Sequence, residues 1–248
     1  MLSVDLNCDM GEGCGNDAEL MDYVSSVNVA CGFHAGDAAT MRTTVETAIE
    51  KGVAIGAHPS FPDRDRFGRN TMNMPSNQVY DIVLEQIFAL RDICNETGGK
   101  LRHVKPHGAL YNQAARDPQL ANAITTAVKA VDEHLILFGL SGSVLITKAQ
   151  KCGLRSASEV FADRTYSPDG SLTPRSEPNA LIHDTDTAVT QVLQMVKNRT
   201  VTSTGGKTIK IDADTICIHG DGENAVDFAK SIRRKLIENG IEIRAING

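Results

Sequence analysis

Leu2-Ser3-Val4-Asp5-Leu6-Asn7-Cys8-Asp9-Met10-Gly11-Glu12-Gly13 is the stretch on which the reading of the chain turns. Leu2, Val4 and Leu6 alternate with Ser3, Asp5 and Asn7. A period of two belongs to a strand, whose successive side chains point to opposite faces. One face is apolar. The other carries an acid and an amide, and the glycine-rich turn that follows adds Asp9 and Glu12. Polar groups bunched where a strand ends are costly to desolvate unless they bind something. The plain alternative is an edge strand with one wet face. Repetition of the pattern further along favours binding. Glu12, on its turn, is the member expected to project away from the others.

Working outward, strands are predicted at Ser26–Cys31, Val53–Ala57, Leu101–Lys105, Leu135–Phe138, Leu154–Phe161 and Thr215–Ile218. Helices follow them, with Asp37, Ser76 and Asp117 as N-caps, one running from Asp184 to Lys197, and Asn224–Glu238 as the last. Proline after Asp117 suits a first helical turn. Leu135–Phe138 is continuously apolar, as in a strand covered on both faces of a parallel sheet. Thr202–Ile211 reads as a small hairpin turning at Gly205-Gly206, and Ile241–Ile246 as a short closing strand. Strand and helix alternate without a linker or repeat. This predicts one domain over residues 1–248, an α/β fold of the β/α-barrel type. His58, Lys105, His107, Asp163, Arg164, His219 and Asp221 fall at or just after predicted strand ends, as Asp5, Asn7 and Asp9 do. In a barrel those ends share one mouth, where catalysis sits. Any one histidine alone reads better as a solvated loop residue.

Composition narrows the classes. The chain has 248 residues and a net charge of −6, with a pI near 5.6. No basic stripe is available to meet phosphates, which argues against nucleic acid as a partner. No apolar run reaches membrane length, so a cytoplasmic protein is expected. The six cysteines are scattered without a C-x-x-C pair and read as reduced thiols, with Cys94 and Cys217 in the core. Several motifs fail on inspection. Gly206-Lys207-Thr208 lacks the first glycine of a phosphate-binding loop, since Val201 stands there. His103 and His107 are four apart, but Pro106 between them rules out a shared helix. Ser141 and Ser143 suit a helix cap or an anion better than a nucleophile.

Asp5–Gly13, Asn28-Val-Ala-Cys-Gly-Phe-His-Ala-Gly-Asp37, Gly56-Ala-His-Pro-Ser-Phe-Pro-Asp63, Val104-Lys-Pro-His-Gly-Ala-Leu-Tyr-Asn112, Val160-Phe-Ala-Asp-Arg164 and Ile218-His-Gly-Asp221 resemble the LamB/YcsF family. The resemblance covers nearly the whole chain in order. Ser141 and Asn179 depart from it, where alanine and glycine are expected. It implies a distorted seven-stranded β/α (TIM-like) barrel akin to the glycoside hydrolase/deacetylase superfamily. It also implies the A component of the bacterial ATP-dependent 5-oxoprolinase, a cyclic amide hydrolase. ATP is then the co-substrate, with Mg²⁺, and subunits B and C are partners. A homo-oligomer is left open.

A lactam is an unreactive amide, so opening it calls for a base for water, an acid for the departing nitrogen and cations for anions. The strand-end residues offer these. Asp5 or Asp9 is the candidate base and His107 the acid–base partner. Lys105 belongs to the catalytic set and, with Arg164 and Arg175, holds anions. Asn7, Asn28, His34 and Asp37 orient substrate, and Glu12 holds Mg²⁺ with the nucleotide. His58, Tyr111, Asp163, His219 and Asp221 complete the substrate- and nucleotide-binding set. Two other readings stay open. One is a metal-dependent deacetylase or amidase using Asp5, His34 and His58; the other is a non-catalytic small-ligand-binding subunit.

Overall fold

A computed structural model describes residues 2–220 and 225–246. The chain begins with β1 (Ser3–Met10), α1 (Asp17–Leu20), β2 (Ser26–Ala30), α2 (Ala38–Glu50) and β3 (Ala54–His58). It continues with α3 (Ser76–Thr97), β4 (Leu101–Val104), α4 (Gly108–Ala114), α5 (Pro118–Val131), β5 (Ile136–Leu140), α6 (Val144–Lys151) and β6 (Ser156–Phe161). Helix α7 (Thr185–Leu193) leads into the hairpin β7 (Thr200–Thr202) and β8 (Thr208–Lys210). Then come β9 (Thr215–Ile218), α8 (Ala225–Glu238) and β10 (Glu242–Ile243).

Seven parallel strands close on themselves in the order β1-β2-β3-β4-β5-β6-β9, with β9 pairing back onto β1 from Asp5↔Thr215 to Cys8↔Ile218. This is the expected seven-stranded barrel. The short β10 adds to the outer start of β1, at Ser3↔Glu242. Asp37 and Asp117 cap their helices by accepting from backbone N–H groups, as expected, and Asp184 does the same one residue before α7 rather than opening the helix. Ser76 is instead the first residue of α3, and Pro75 stands at the cap.

The core lies between the barrel wall and the helices. Val4, Leu6, Cys8 and Met10 of β1 are at most 2% exposed and pack outward into one apolar cluster with the helices. The alternate residues Asp5, Asn7 and Asp9 therefore point along the barrel axis. A seven-stranded barrel has room inside for a polar ladder only where each member is paired. Below it, Ile136, Phe138 and Ala157 form a separate small apolar cluster, and the His103 ring stacks on Phe138 at 4.2 Å. Gly56 makes this possible, because a Cβ there would lie 2.1 Å from His103 Nε2.

Candidate active site

The ladder starts with Asp5 and ends at a pocket. Asp5 Oδ1 accepts from the Ser25 and Ser26 hydroxyls at 2.7 and 2.5 Å, and Oδ2 accepts from Thr215 Oγ1 at 2.6 Å. Burial pushes its pKa up, against those three hydrogen bonds. Asp5 does not line the pocket. The expectation that it is the base for water, or a metal ligand beside His34 and His58, is therefore corrected. The strand's period of two puts Asp5 two repeats below Asp9, where it organises the barrel floor.

One step up, Asn7 donates to Glu159 Oε1 at 3.0 Å and to Thr215 Oγ1 at 2.6 Å. Asn28 Nδ2 donates to Asn7 Oδ1 at 2.7 Å and to Asp9 Oδ1 at 2.8 Å, and its own oxygen accepts from His103 Nε2 at 2.8 Å. Both amides are fully buried and are spent on this network, so they position Asp9 rather than touch a ligand. Lys105, 2% exposed, sits at the centre. Its Nζ lies 2.9 Å from Asp9 Oδ1, 3.0 Å from Glu159 Oε1 and 3.1 Å from Cys217 Sγ. Burial opposes the ammonium, but the Asp9 carboxylate and its neighbours outweigh this and hold Lys105 well above its ordinary value. Burial raises Asp9, whose side chain is 10% exposed, yet His58 and Lys105 hold it well below the usual carboxylate range. Cys217 is buried as expected but faces this ion pair, and burial pushes its thiol up.

Beside Asp9, four strand ends bring together Glu12, His34, His58 and His107, one ligand-type atom of each lying within 4.8 Å of the others. Glu12 does not project away. Its Oε1 is 2.9 Å from His34 Nε2 and 3.3 Å from His107 Nδ1. The His34 and His107 rings stack at 3.8 Å. His58 Nδ1 donates to the Lys105 carbonyl at 2.6 Å, and His107 Nε2 donates to the Phe67 carbonyl at 2.9 Å. Phe67 adopts a left-handed backbone, φ 55°, uncommon for an aromatic residue and a place where strain serves a site. Burial and the neighbouring His58 push His107 well down, and burial pushes His34 down. His58 is raised: burial opposes its charge, but Asp9 outweighs it. With its Nε2–H spent on Phe67, His107 has no proton facing the pocket, which corrects its expected role as the acid. Three imidazoles around Glu12 also make a poor cradle for a hard Mg²⁺.

The opposite wall holds a second constellation. His219 Nδ1 donates to Asp163 at 2.7 Å, and Arg175 Nη2 donates to His219 Nε2 at 3.2 Å. Burial raises Asp163, whose side chain is still 18% exposed, but His219 and Arg175 keep its carboxyl low. Arg164 is 5% exposed and donates to the Ala180 and Thr173 carbonyls at 3.3 and 2.6 Å. Its first task is to tie down its loop, although it also lines the pocket. Between the walls, the Tyr111 hydroxyl and Glu159 Oε2 are buried without a hydrogen-bond partner among the described residues. The pocket, about 350 Å³, is bounded by Asp9, Glu12, His58, Lys105, His107, Tyr111, Arg164, Arg175 and His219, with Arg69 and Arg116 at its edge. That is the low end of small-molecule sites. Asp37 is exposed and serves as the cap of α2, which corrects its expected role toward substrate. Asp221 lies outside the described residues.

Sequence reading missed Glu159, Phe67, Arg69 and Arg116. Glu159 had a signal, a lone acid inside the apolar run Ala157–Phe161. Phe67 had none, since it contributes only a carbonyl and a ring edge.

A model of the LamB/YcsF family matches residues 4–248. The chain belongs to that family. A relative from Geobacillus kaustophilus, named as the A component of 5-oxoprolinase, is 56% identical over 249 residues, covering 99% of this chain and 97% of its own. A lactam utilization protein from Thermus thermophilus superposes with a TM-score of 0.93 at 44% identity, covering 99% of this chain and 100% of its own. A family 4 carbohydrate esterase from Streptomyces lividans shares the fold, with a TM-score of 0.50 at 14% identity, over 99% of this chain and 93% of its own. The expected likeness to deacetylase barrels is thus found at the level of fold. No helix among the described residues is long and apolar enough to cross a membrane.

Proposed function

We propose that this chain is the A component of an ATP-dependent 5-oxoprolinase, working with subunits B and C. In this reading the γ-phosphoryl of ATP goes to the lactam oxygen and ADP leaves, with Mg²⁺ accompanying the nucleotide. Water adds to the activated carbon, and the ring C–N bond breaks with the nitrogen taking a proton. A second water releases phosphate from the resulting acyl phosphate and leaves L-glutamate. The observation that carries the reading is the full-length match to a relative named as the A component of 5-oxoprolinase. The pocket supports it chemically.

Asp9, held ionised far below the usual range, is too weak a base for water and serves to fix Lys105 and His58. His219 is the better base. Asp163 accepts the hydrogen bond of its Nδ1–H, which fixes the tautomer and leaves the Nε2 lone pair free to accept. Arg175 donates to that nitrogen when no ligand is bound. A substrate carboxylate drawing Arg175 to itself frees the lone pair for water. The Tyr111 hydroxyl, buried beside Glu159 at the pocket, supplies a donor for a developing oxyanion.

The test is reconstitution. The chain is mixed with subunits B and C, ATP, Mg²⁺ and 5-oxoproline, and glutamate and phosphate are measured. Formation of both, dependent on 5-oxoproline and on this chain, is expected. Phosphate release indifferent to 5-oxoproline, or no glutamate, would overturn the reading.

A further inference from the structure

We propose that Glu12, His34, His58 and His107 form a binding site for a first-row transition metal ion of the zinc type. Proton positions point to it first. His58 Nδ1 and His107 Nε2 each face a backbone carbonyl, at 2.6 and 2.9 Å, so both outer nitrogens carry hydrogen. The inner nitrogens, His58 Nε2 and His107 Nδ1, then face each other across 2.9 Å, with Asp9 Oδ2 3.3 Å from His58 Nε2, so a proton on His58 Nε2 fills this gap when no ion is bound. Such a gap needs a cation between its two walls. A proton bridges these two atoms only. Glu12 Oε1 stands 3.3 Å from the same His107 nitrogen and 3.8 Å from the same His58 nitrogen, and His34 Nε2 stands 2.9 Å from Glu12. One divalent ion serves all four.

The dimensions fit. Zinc–ligand bonds of about 2.0–2.2 Å in a tetrahedron give ligand–ligand edges of about 3.3–3.6 Å. The four edges above, 2.9, 2.9, 3.3 and 3.8 Å, straddle that range. An imidazole that ligates metal usually donates its other N–H to a carbonyl or carboxylate, which fixes the ring and its tautomer. His58 and His107 both do so. Gly68 and Gly108 hold the second of these in place. A Cβ on Gly108 would lie 2.5 Å from the Gly68 carbonyl, and both glycines have positive φ. Phe67 closes the outer side, its ring set edge-on to His34 and His107 at 5.5 and 5.4 Å.

The donor set names the class of ion. Three nitrogens and one carboxylate oxygen suit Zn²⁺, Co²⁺ or Ni²⁺, whereas Mg²⁺ and Ca²⁺ take oxygen shells. The site is therefore separate from the Mg²⁺ that travels with a nucleotide. It differs from an Asp5, His34, His58 trio because Asp5 belongs to the barrel floor. Glu12, His58 and His107 line the pocket, so the ion would form part of its wall; with four protein ligands its tetrahedral shell is filled, and a ligand oxygen would reach it only as a fifth donor.

Binding is measured on the isolated full-length chain, without an affinity tag and stripped of metal, with no nucleotide or substrate present. Zn²⁺ is titrated against a chromophoric chelator and Co²⁺ by its visible d–d absorption. One ion per chain is expected, with at least about a hundredfold preference for Zn²⁺ over Mg²⁺. Glu12→Gln and His34→Gln should each weaken Zn²⁺ binding by about tenfold or more, while Asp37→Asn leaves it unchanged. Folding of each variant is checked by circular dichroism. In the unmodified chain, Zn²⁺ should also shift the imidazole carbon resonances of His34, His58 and His107 and leave His134 in place. Absence of stoichiometric binding, binding equally strong in Glu12→Gln and His34→Gln, or resonances that do not move would overturn the proposal and leave a proton-bridged histidine cluster. Because no turnover is measured, this outcome is independent of the reconstitution that tests the lactam reading.

Discussion

Replacing Lys105 by methionine removes the one cation set between two buried carboxylates and keeps most of the side-chain volume. Its Nζ stands 2.9 Å from Asp9 and 3.0 Å from Glu159, with lysine and glutamate almost wholly buried. At an effective dielectric of about 20, each such pair is worth about 6 kcal/mol before dehydration is counted. Dehydration takes back most of that, yet breaking a buried pair leaves its partners uncompensated and costs about 3–5 kcal/mol. Lys105→Met should therefore lower the thermal midpoint by about 6–20 °C for a domain of this size. The loss depends on pH. In the parent chain Asp9 lies below its unfolded value, so its stabilisation is fully present above about pH 4 and is lost only below it. In the variant the two acids lose their ammonium, and protonation relieves them instead. Chemical denaturation between about pH 8 and pH 5 should show the gap between parent and variant narrowing as pH drops. Adding Glu159→Gln to Lys105→Met should restore about 1 kcal/mol or more, since the two positions touch. A variant within about 1 kcal/mol of the parent at neutral pH, or a gap indifferent to pH, would refute the reasoning.

Three further outcomes follow from the same geometry. Asp163→Asn removes the acceptor that fixes the His219 tautomer, so kcat of the reconstituted enzyme should fall by about 10²–10⁴ with little change in KM, read by steady-state kinetics. Asp5→Ala strands three hydroxyl donors at the barrel floor and should cost about 2–4 kcal/mol of stability in denaturant titration. Well below its melting temperature the same variant should keep kcat within about threefold of the parent; a loss like that of Asp163→Asn would return Asp5 to the catalytic set. Burial, with Lys105 nearby, pushes His103 down to about 3, so its imidazole resonances should not titrate in the folded chain between about pH 8 and pH 5. The unfolded chain protonates that histidine first, so its contribution to stability is fully present at high pH and falls by about 1.4 kcal/mol per unit once pH drops below about 6.5.

The fold was legible because its two signals are local. The period of two in Leu2–Asn7 and the capping aspartates before α2 and α5 report their own neighbourhoods, and the barrel follows from the alternation of strand and helix. The site was legible at the level of strand ends and no finer. Sequence places Asp5 and Asp9 on one strand face, but it does not say how far along the axis the pocket begins. Only cross-strand register does that, and here it leaves Asp5 with Ser25, Ser26 and Thr215. Glu12 was misjudged for a similar reason. A turn residue's direction depends on what it meets, and three imidazoles from β2, β3 and β4 connections turn it inward. Asp37 shows the converse, since its capping bond to Thr40 used up a carboxylate that the motif alone offered to substrate. Proton positions were beyond reach altogether. That His107 keeps its Nε2–H on Phe67 follows from a carbonyl forty residues away in sequence.

The barrel interior explains why so many charged groups survive burial here. An apolar interior would leave Asp9 and Lys105 to meet solvent at the mouth, where water would screen each from the other. Because β1 turns its apolar residues outward to the helices, Asn7, Asn28, Glu159 and Thr215 support that ion pair from beneath. Every support is a hydrogen bond to a neighbour that is itself held, so the pair cannot reorganise cheaply. A fixed field of this kind costs stability at the floor and supplies it as orientation at the pocket, where His58 and Asp9 face one another at 3.3 Å. Mutations low in the ladder should therefore be read first as losses of stability, and mutations at the rim first as losses of turnover.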